Sequence, residues 1–173
     1  VHDTIVVFDR VRENLKYYFD LYDIWSSYRT ESDGIMIAYT SVYGNTKKAV
    51  TILSEKLKTA GHKVVLNDLA RCDMAEAVED AFRYGKLVFA STTYNMGVFP
   101  FMRDFINHLV ELNFQNKQIA FIENGSWAPT AAKIMRNMLE NCKNIKFVEP
   151  VVTIKSALNS VNLSQIDELS KIF

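Results

Sequence analysis

TSVYGNT, Thr40–Thr46, stands where a short aliphatic run, Ile35–Tyr39, gives way to an amphipathic one, Thr46–Ala60. A strand that becomes a helix through such a loop leaves the first helical amides unpaired and turns the positive end of the peptide dipoles outward. Thr40, Ser41, Asn45 and Thr46 add neutral hydroxyl and amide donors, and Gly44 allows close approach to the backbone. The loop holds no lysine and no GxxxxGK[ST] pattern, which disfavours a triphosphate gripped with magnesium, and the GxGxxG dinucleotide turn is absent. A neutral cradle of this kind suits one terminal phosphate monoester. Taken alone, it is equally well a capped strand-to-helix turn.

The alternation recurs outward from this loop. Lys63–Asn67, Leu87–Ala90 and Gln118–Ile122 are short, aliphatic and bounded by Gly, Asn, Ser or Thr, as buried parallel strands are. A fifth run is broken into Ile145–Val148 and Val151–Ile154 by Glu149 and Pro150, which places it at a sheet edge or marks a bulge. Ala75–Tyr84, Pro100–Leu112, Pro129–Asn141 and Leu163–Ile172 carry apolar residues at helical spacing. Gly61 falls where a left-handed helix cap would sit, and Pro100 and Pro129 where a first helical turn tolerates proline. Five strand–helix units are too few for an eight-stranded barrel, so the α/β alternation predicts a three-layer open sheet, five parallel strands in order 2-1-3-4-5 with helices on both faces. Residues 34–173 are expected to form this domain, preceded over 1–33 by a leader helix, about Arg10–Trp25, and a polar linker, Ser26–Asp33.

That strand order sets the end of the third strand beside the end of the first, at the switch point where open α/β sheets bind ligands. The loop there, STTYNMGVFP, spends Ser91, Thr92, Thr93, Asn95 and Gly97 on a bend that needs few of them, and Tyr94 adds a flat face. The loop after the fourth strand, ENGSWAPT (Glu123–Thr130), opens on the same edge and brings Trp127. Two aromatics could sandwich a planar ring; packing is the better account of each on its own, and their joint placement shifts the balance.

Composition narrows the class. Apolar residues make up 49% and charged residues 23%, values of a globular domain, and twenty basic residues balance twenty acidic ones without a basic stripe, so nucleic acid is not an expected partner. No apolar run approaches the roughly 20 residues of a membrane span and no signal pattern opens the chain, so the sequence reads as cytoplasmic. Cys72 and Cys142 form no CxxC pair and read as idle thiols. His2, His62 and His108 lack metal-ligand spacing. The first residue, Val1, suggests a trimmed chain or a piece of a longer one.

SVYGNT, TTYNMGVFP and NGSWAPT together resemble the FMN loops of the flavodoxin family. More narrowly, TSVYGNTKKAV, STTYNMGVFPFMRDFINHL and EPVVTIK are similar to the flavodoxin-like domain of flavodiiron proteins, also called A-type flavoproteins. The likeness runs from about Gly34 to Phe173; upstream, only YDIWSS (Tyr22–Ser27) resembles the family's connector. The resemblance implies non-covalent FMN, with Ser41, Val42, Gly44, Asn45 and Thr46 on the phosphate. Thr93, Tyr94, Asn95 and Gly97 would line the isoalloxazine, and Asn124, Gly125, Ser126 and Trp127 its pyrimidine side and second face, where the family more often has GSYGW. Tyr43, Thr92 and Met96, lying between these positions, complete the implied set. Gly97 is expected to let the Asn95–Gly97 backbone rearrange against the flavin N5.

The implied role is electron transfer with a protein donor or acceptor, rubredoxin-like or a diiron domain, whose ligands this chain lacks. The alternatives are an NAD(P)H-dependent quinone or flavin reductase and a flavin-free signalling module; for a phosphoreceiver, Ala38, Tyr39 and Ser91 stand where acidic residues are required. Tyr17, Tyr18, Phe19 and Trp25 on the leader helix are expected either to cover the domain or to meet another subunit.

Overall fold

A computed structural model describes the backbone of residues 2–173 and the side chains of residues 10–173. The His2 side chain and Val1 lie outside the described residues. Helix α1 (His2–Ser26) leads into β1 (Ser32–Tyr39), α2 (Asn45–Thr59), β2 (Val64–Asp68), α3 (Met74–Arg83) and β3 (Tyr84–Tyr94). A two-residue strand β4 (Gly97–Val98) precedes α4 (Pro100–Glu111), β5 (Lys117–Asn124), α5 (Ala131–Met138), β6 (Ile145–Ile154) and α6 (Ser160–Ser170). The parallel sheet runs β2-β1-β3-β5-β6, which is the expected 2-1-3-4-5 order once the antiparallel β4 is set aside.

Period-two alternation divides the core. Met36, Ala38, Leu87, Phe89, Ile119 and Phe121 face one side, where α3, α4 and α5 supply Ala77, Ala81, Phe105, Leu109 and Met135. Their neighbours Ile35, Ile37, Val88, Ala90, Ala120 and Ile122 face the other, against Val50, Leu53 and Leu57 of α2 and Ile166 and Leu169 of α6. Central strands buried on both faces explain the continuous aliphatic runs.

Several element ends differ from the expectation. β3 extends through the polar Ser91–Tyr94 because those residues pair with β5 and β4. α5 begins at Ala131, so Pro129 precedes the helix and does not sit in its first turn, whereas Pro100 does open α4. Gly61 follows α2 with φ 94°, the left-handed stop expected there. β6 is both an edge strand and bulged: Ala120 faces Val148 and Ile122 faces Val152, so Glu149–Val151 oppose the single Phe121. α1 reaches back to His2 instead of starting near Arg10, and Tyr17, Tyr18 and Phe19 stay 60–70% exposed, so they do not cover the domain. No helix among the described residues is long and apolar enough to cross a membrane.

Phe89, fully buried at the sheet centre, meets the rings of Phe105 and Phe121 edge-on at 5.4 and 6.4 Å. Phe89→Ala should therefore lower unfolding free energy by about 3–5 kcal/mol. Urea denaturation measures it, and a loss below about 1 kcal/mol would contradict this packing.

Candidate functional site

Three loops meet at the carboxyl edge around a cavity of about 210 Å3, lined by Ser41, Tyr43, Asn45, Thr46, Thr92 and Thr93 together with Asn124, Gly125, Ser126 and Ser156. Its first wall is the start of α2. Gly44, the N-cap residue, adopts φ 84° and offers no side chain, the first turn carries no acidic residue, and the space a Cβ would occupy is open. Ser41 Oγ accepts the Lys47 N–H at 3.2 Å, leaving earlier amides of the turn available. A helix start whose N-cap residue has no side chain and whose first turn carries no carboxylate has the chemistry that suits an anion.

The second wall continues β3. Thr40 and Ser91 hydroxyls meet at 3.1 Å, and those of Thr46 and Thr92 at 3.3 Å, so the ends of β1 and β3 are tied by side chains beyond their backbone ladder. Thr93 Oγ1 accepts the N–H groups of Thr130 and Ala131 at 3.1 and 3.3 Å, capping α5 from a different loop. At the adjacent hairpin tip, the left-handed residues are Asn95 and Met96, with φ 48° and 59°. This is the two-residue β3–β4 turn, which normally favours glycine at its second centre. At Gly97 a Cβ would lie 2.7 Å from Arg103 Nη2, the far end of a flexible side chain, and 3.3 Å from the Tyr94 carbonyl oxygen.

The third wall is held by two buried polar residues at the end of β5. Glu123 Oε2 accepts the Ala132 N–H and Oε1 the Thr153 hydroxyl, both at 2.9 Å, joining β5 to α5 and β6. Asn124 clasps Ser156, donating to its carbonyl at 3.2 Å and accepting its N–H at 3.1 Å, while Ser126 and Ser156 hydroxyls lie 2.7 Å apart. Gly125 permits the convergence, since a Cβ would come within 3.1 Å of Pro129 Cα and 3.2 Å of Thr93.

Of the residues singled out in the sequence, Val42, Gly44, Tyr94, Asn95, Met96, Gly97 and Trp127 stand outside the cavity lining. Tyr94 packs edge-on against Phe99 at 5.6 Å, and Trp127 is 98% exposed. The aromatic that lines the cavity is Tyr43, itself 92% exposed. Sequence reasoning missed Ser156 and the bracing role of Glu123; the polar KSALNS directly after β6 was the available signal. Beside the first wall, Tyr39 donates to Asp68 Oδ2 at 3.3 Å, and burial followed by that carboxylate pushes the phenol pKa up. Among the described residues no three His, Cys, Asp or Glu side chains gather as metal ligands.

Fold and site define a doubly wound α/β domain with a helix start at its switch point. Residues 36–168 match the family described as Flavodoxin domain, and the chain belongs to that family. Rubredoxin oxygen:oxidoreductase from Desulfovibrio gigas superposes over 92% of this chain and 39% of its own, with TM-score 0.84 and 18% identity. The flavodiiron protein from Giardia intestinalis does so over 86% and 37%, with TM-score 0.78 and 22% identity. A flavodoxin from the domain Archaea aligns over 79% of this chain and 93% of its own, with TM-score 0.68 and 17% identity. At these identities the likeness is one of fold, and the chain spans about two fifths of the flavodiiron proteins' length. No curated protein matches the sequence.

Glu123→Ala would strip partners from the Ala132 N–H and the Thr153 hydroxyl, and should cost about 2–4 kcal/mol. Urea unfolding reports it; a loss under about 1 kcal/mol would mean that the third wall does not depend on this carboxylate.

Proposed function

We propose that this domain binds FMN at the carboxyl-edge cavity and passes electrons between redox proteins. The observation that carries the reading is the convergence of three polar loops on one cavity whose first wall is the start of α2. A phosphate monoester fits the residues present: α2 offers amides and the Ser41 and Thr46 hydroxyls, with no acidic residue in its first turn to repel the group. The cavity is smaller than the roughly 300 Å3 or more of sites that enclose a whole drug-sized ligand. A ring held at such a site would lie at the rim, where Tyr43, Tyr94, Met96 and Trp127 are exposed.

Bound FMN supplies reversible one- and two-electron chemistry. The chain supplies position and surroundings. Thr92, Thr93, Asn124, Gly125 and Ser126 present hydroxyl and backbone groups to a heteroaromatic edge. Because the Asn124 amide is occupied by Ser156, its part is to hold the third loop in place. Glu123, buried and doubly hydrogen-bonded below the site, braces the same loop. Exposure of the rim keeps a bound ring within reach of a docked redox protein, such as a rubredoxin-like or diiron partner.

The purified chain mixed with FMN should take up one equivalent and quench its fluorescence, and should bind riboflavin at least about a hundredfold more weakly. Thr46→Val should weaken FMN about tenfold while leaving riboflavin unchanged, as expected for a lost phosphate contact. Equal affinities for FMN and riboflavin would sink the phosphate assignment. Trp127→Ala, at a position that touches almost nothing in the chain, should leave stability unchanged and loosen FMN about three- to tenfold. Unaltered affinity in a calorimetric titration would remove Trp127 from the ring's surroundings.

A further inference from the structure

A larger cavity, about 350 Å3, opens at the opposite end of the sheet, where the linker after α1 crosses α3 and the start of β5. It lies within the size range of small-molecule sites, and Trp25, Tyr28 and Phe82 give it aromatic walls. Lys117, the first residue of β5, lines it and is 4% exposed. Its ammonium donates to the carbonyl oxygens of Phe82 and Tyr84 at 2.6 and 2.8 Å. Both acceptors are neutral, no described carboxylate forms an ion pair with it, and the third ammonium proton has no protein acceptor among the described residues. Burial without a counter-ion brings the Lys117 pKa down to about 8.

The carboxylates that share the cavity are already committed. Arg83 pairs with both Glu31 and Glu79, and the Trp25 indole donates to Glu31 at 2.9 Å. Arg83 also meets Asp80, and Arg29 pairs with Asp23, so among the described residues Lys117 is the cation of the cavity lining that has no ion-pair partner. A buried ammonium is strengthened most by an anion that accepts its free proton, because a charge-assisted hydrogen bond gains in low-dielectric surroundings. Flat aromatic walls beside a buried cation specify an anion carried on a ring.

We propose that this amino-edge cavity binds a small planar aromatic carboxylate, with its ring against Trp25 and Phe82 and its carboxylate on the Lys117 ammonium. The site is independent of the carboxyl-edge cavity. Lys117 and Asn124 are the first and last residues of β5, roughly 23 Å apart at strand rise.

Calorimetric titration of the chain with 2-naphthoate and with neutral 2-naphthamide tests this. One equivalent of naphthoate should bind at pH 7, at least about tenfold tighter than the amide. Saturating FMN should leave the titration unchanged. Lys117→Met should erase the preference for the acid over the amide. Should that variant fail to fold, Trp25→Leu, at a half-exposed position, keeps the core intact and should weaken both ligands several-fold. Equal affinity for acid and amide, displacement of naphthoate by FMN, indifference to Trp25→Leu, or binding weaker than about 1 mM would each overturn the proposal.

Discussion

The parallel pairing of β1 with β3 is the contact on which the rest of the molecule depends. These strands are neighbours in space but not in sequence, with Ile35 opposite Lys86 and Tyr39 opposite Ala90. The chain leaves β1 for α2 on one face and β3 for α4 on the other. Neither helix covers the gap between the strand ends, and backbone groups there would face water unless something else filled it. The Thr40–Ser91 and Thr46–Thr92 hydroxyl pairs hold that gap at a fixed width. Topology places a crevice beside a helix start, and these side-chain pairs set its width.

What closes the crevice is a polar network that is costly unless complete. Glu123 and Asn124 are each 7% exposed, yet each carboxylate oxygen and both ends of the amide have partners. Thr93 caps a helix that its own N-cap residue, Thr130, leaves uncapped. The third wall is thereby fastened to the second by hydrogen bonds as well as by the apolar packing of α5. The single buried side-chain atom without a partner among the described residues, Ser54 Oγ, sits on α2 away from this network.

The sheet was legible because its central strands are buried on both faces and so must be aliphatic throughout. The loops were legible as a group because hydroxyls, amides and glycines at three strand ends are more than a bend requires. What escaped notice has specific causes. The β3–β4 hairpin turns on Asn95–Met96, which lacks the Asn-Gly pattern that marks such turns. Ser156 bonds Asn124 through its backbone and Ser126 through its hydroxyl; the main-chain part leaves no trace in residue type, and the polar run after β6 marks only the hydroxyl. The Arg103 guanidinium and the Tyr94 carbonyl that stand beside Gly97 are brought there by tertiary structure, which residue type does not reveal. Tyr43 and Trp127 were both visible as aromatics, but which one lines the cavity depends on loop paths that strand order does not fix.

The inversion of burial at the carboxyl edge carries one more consequence. Here a carboxylate and an amide lie beneath the surface, while Tyr43, Met96 and Trp127 are 92%, 76% and 98% exposed above it. Large apolar groups left at one rim cost little singly, but their clustering beside a polar cavity is a property of interaction sites. The two halves of the site therefore differ in stiffness. The end at the start of α2 is fixed by helix geometry and paired hydroxyls, whereas the outer rim consists of side chains left largely exposed. The rim side chains are free to change without disturbing the core, because almost nothing else in the chain rests on them. A scaffold divided in this way can keep its polar cavity and alter the surface around it by substitutions confined to the rim.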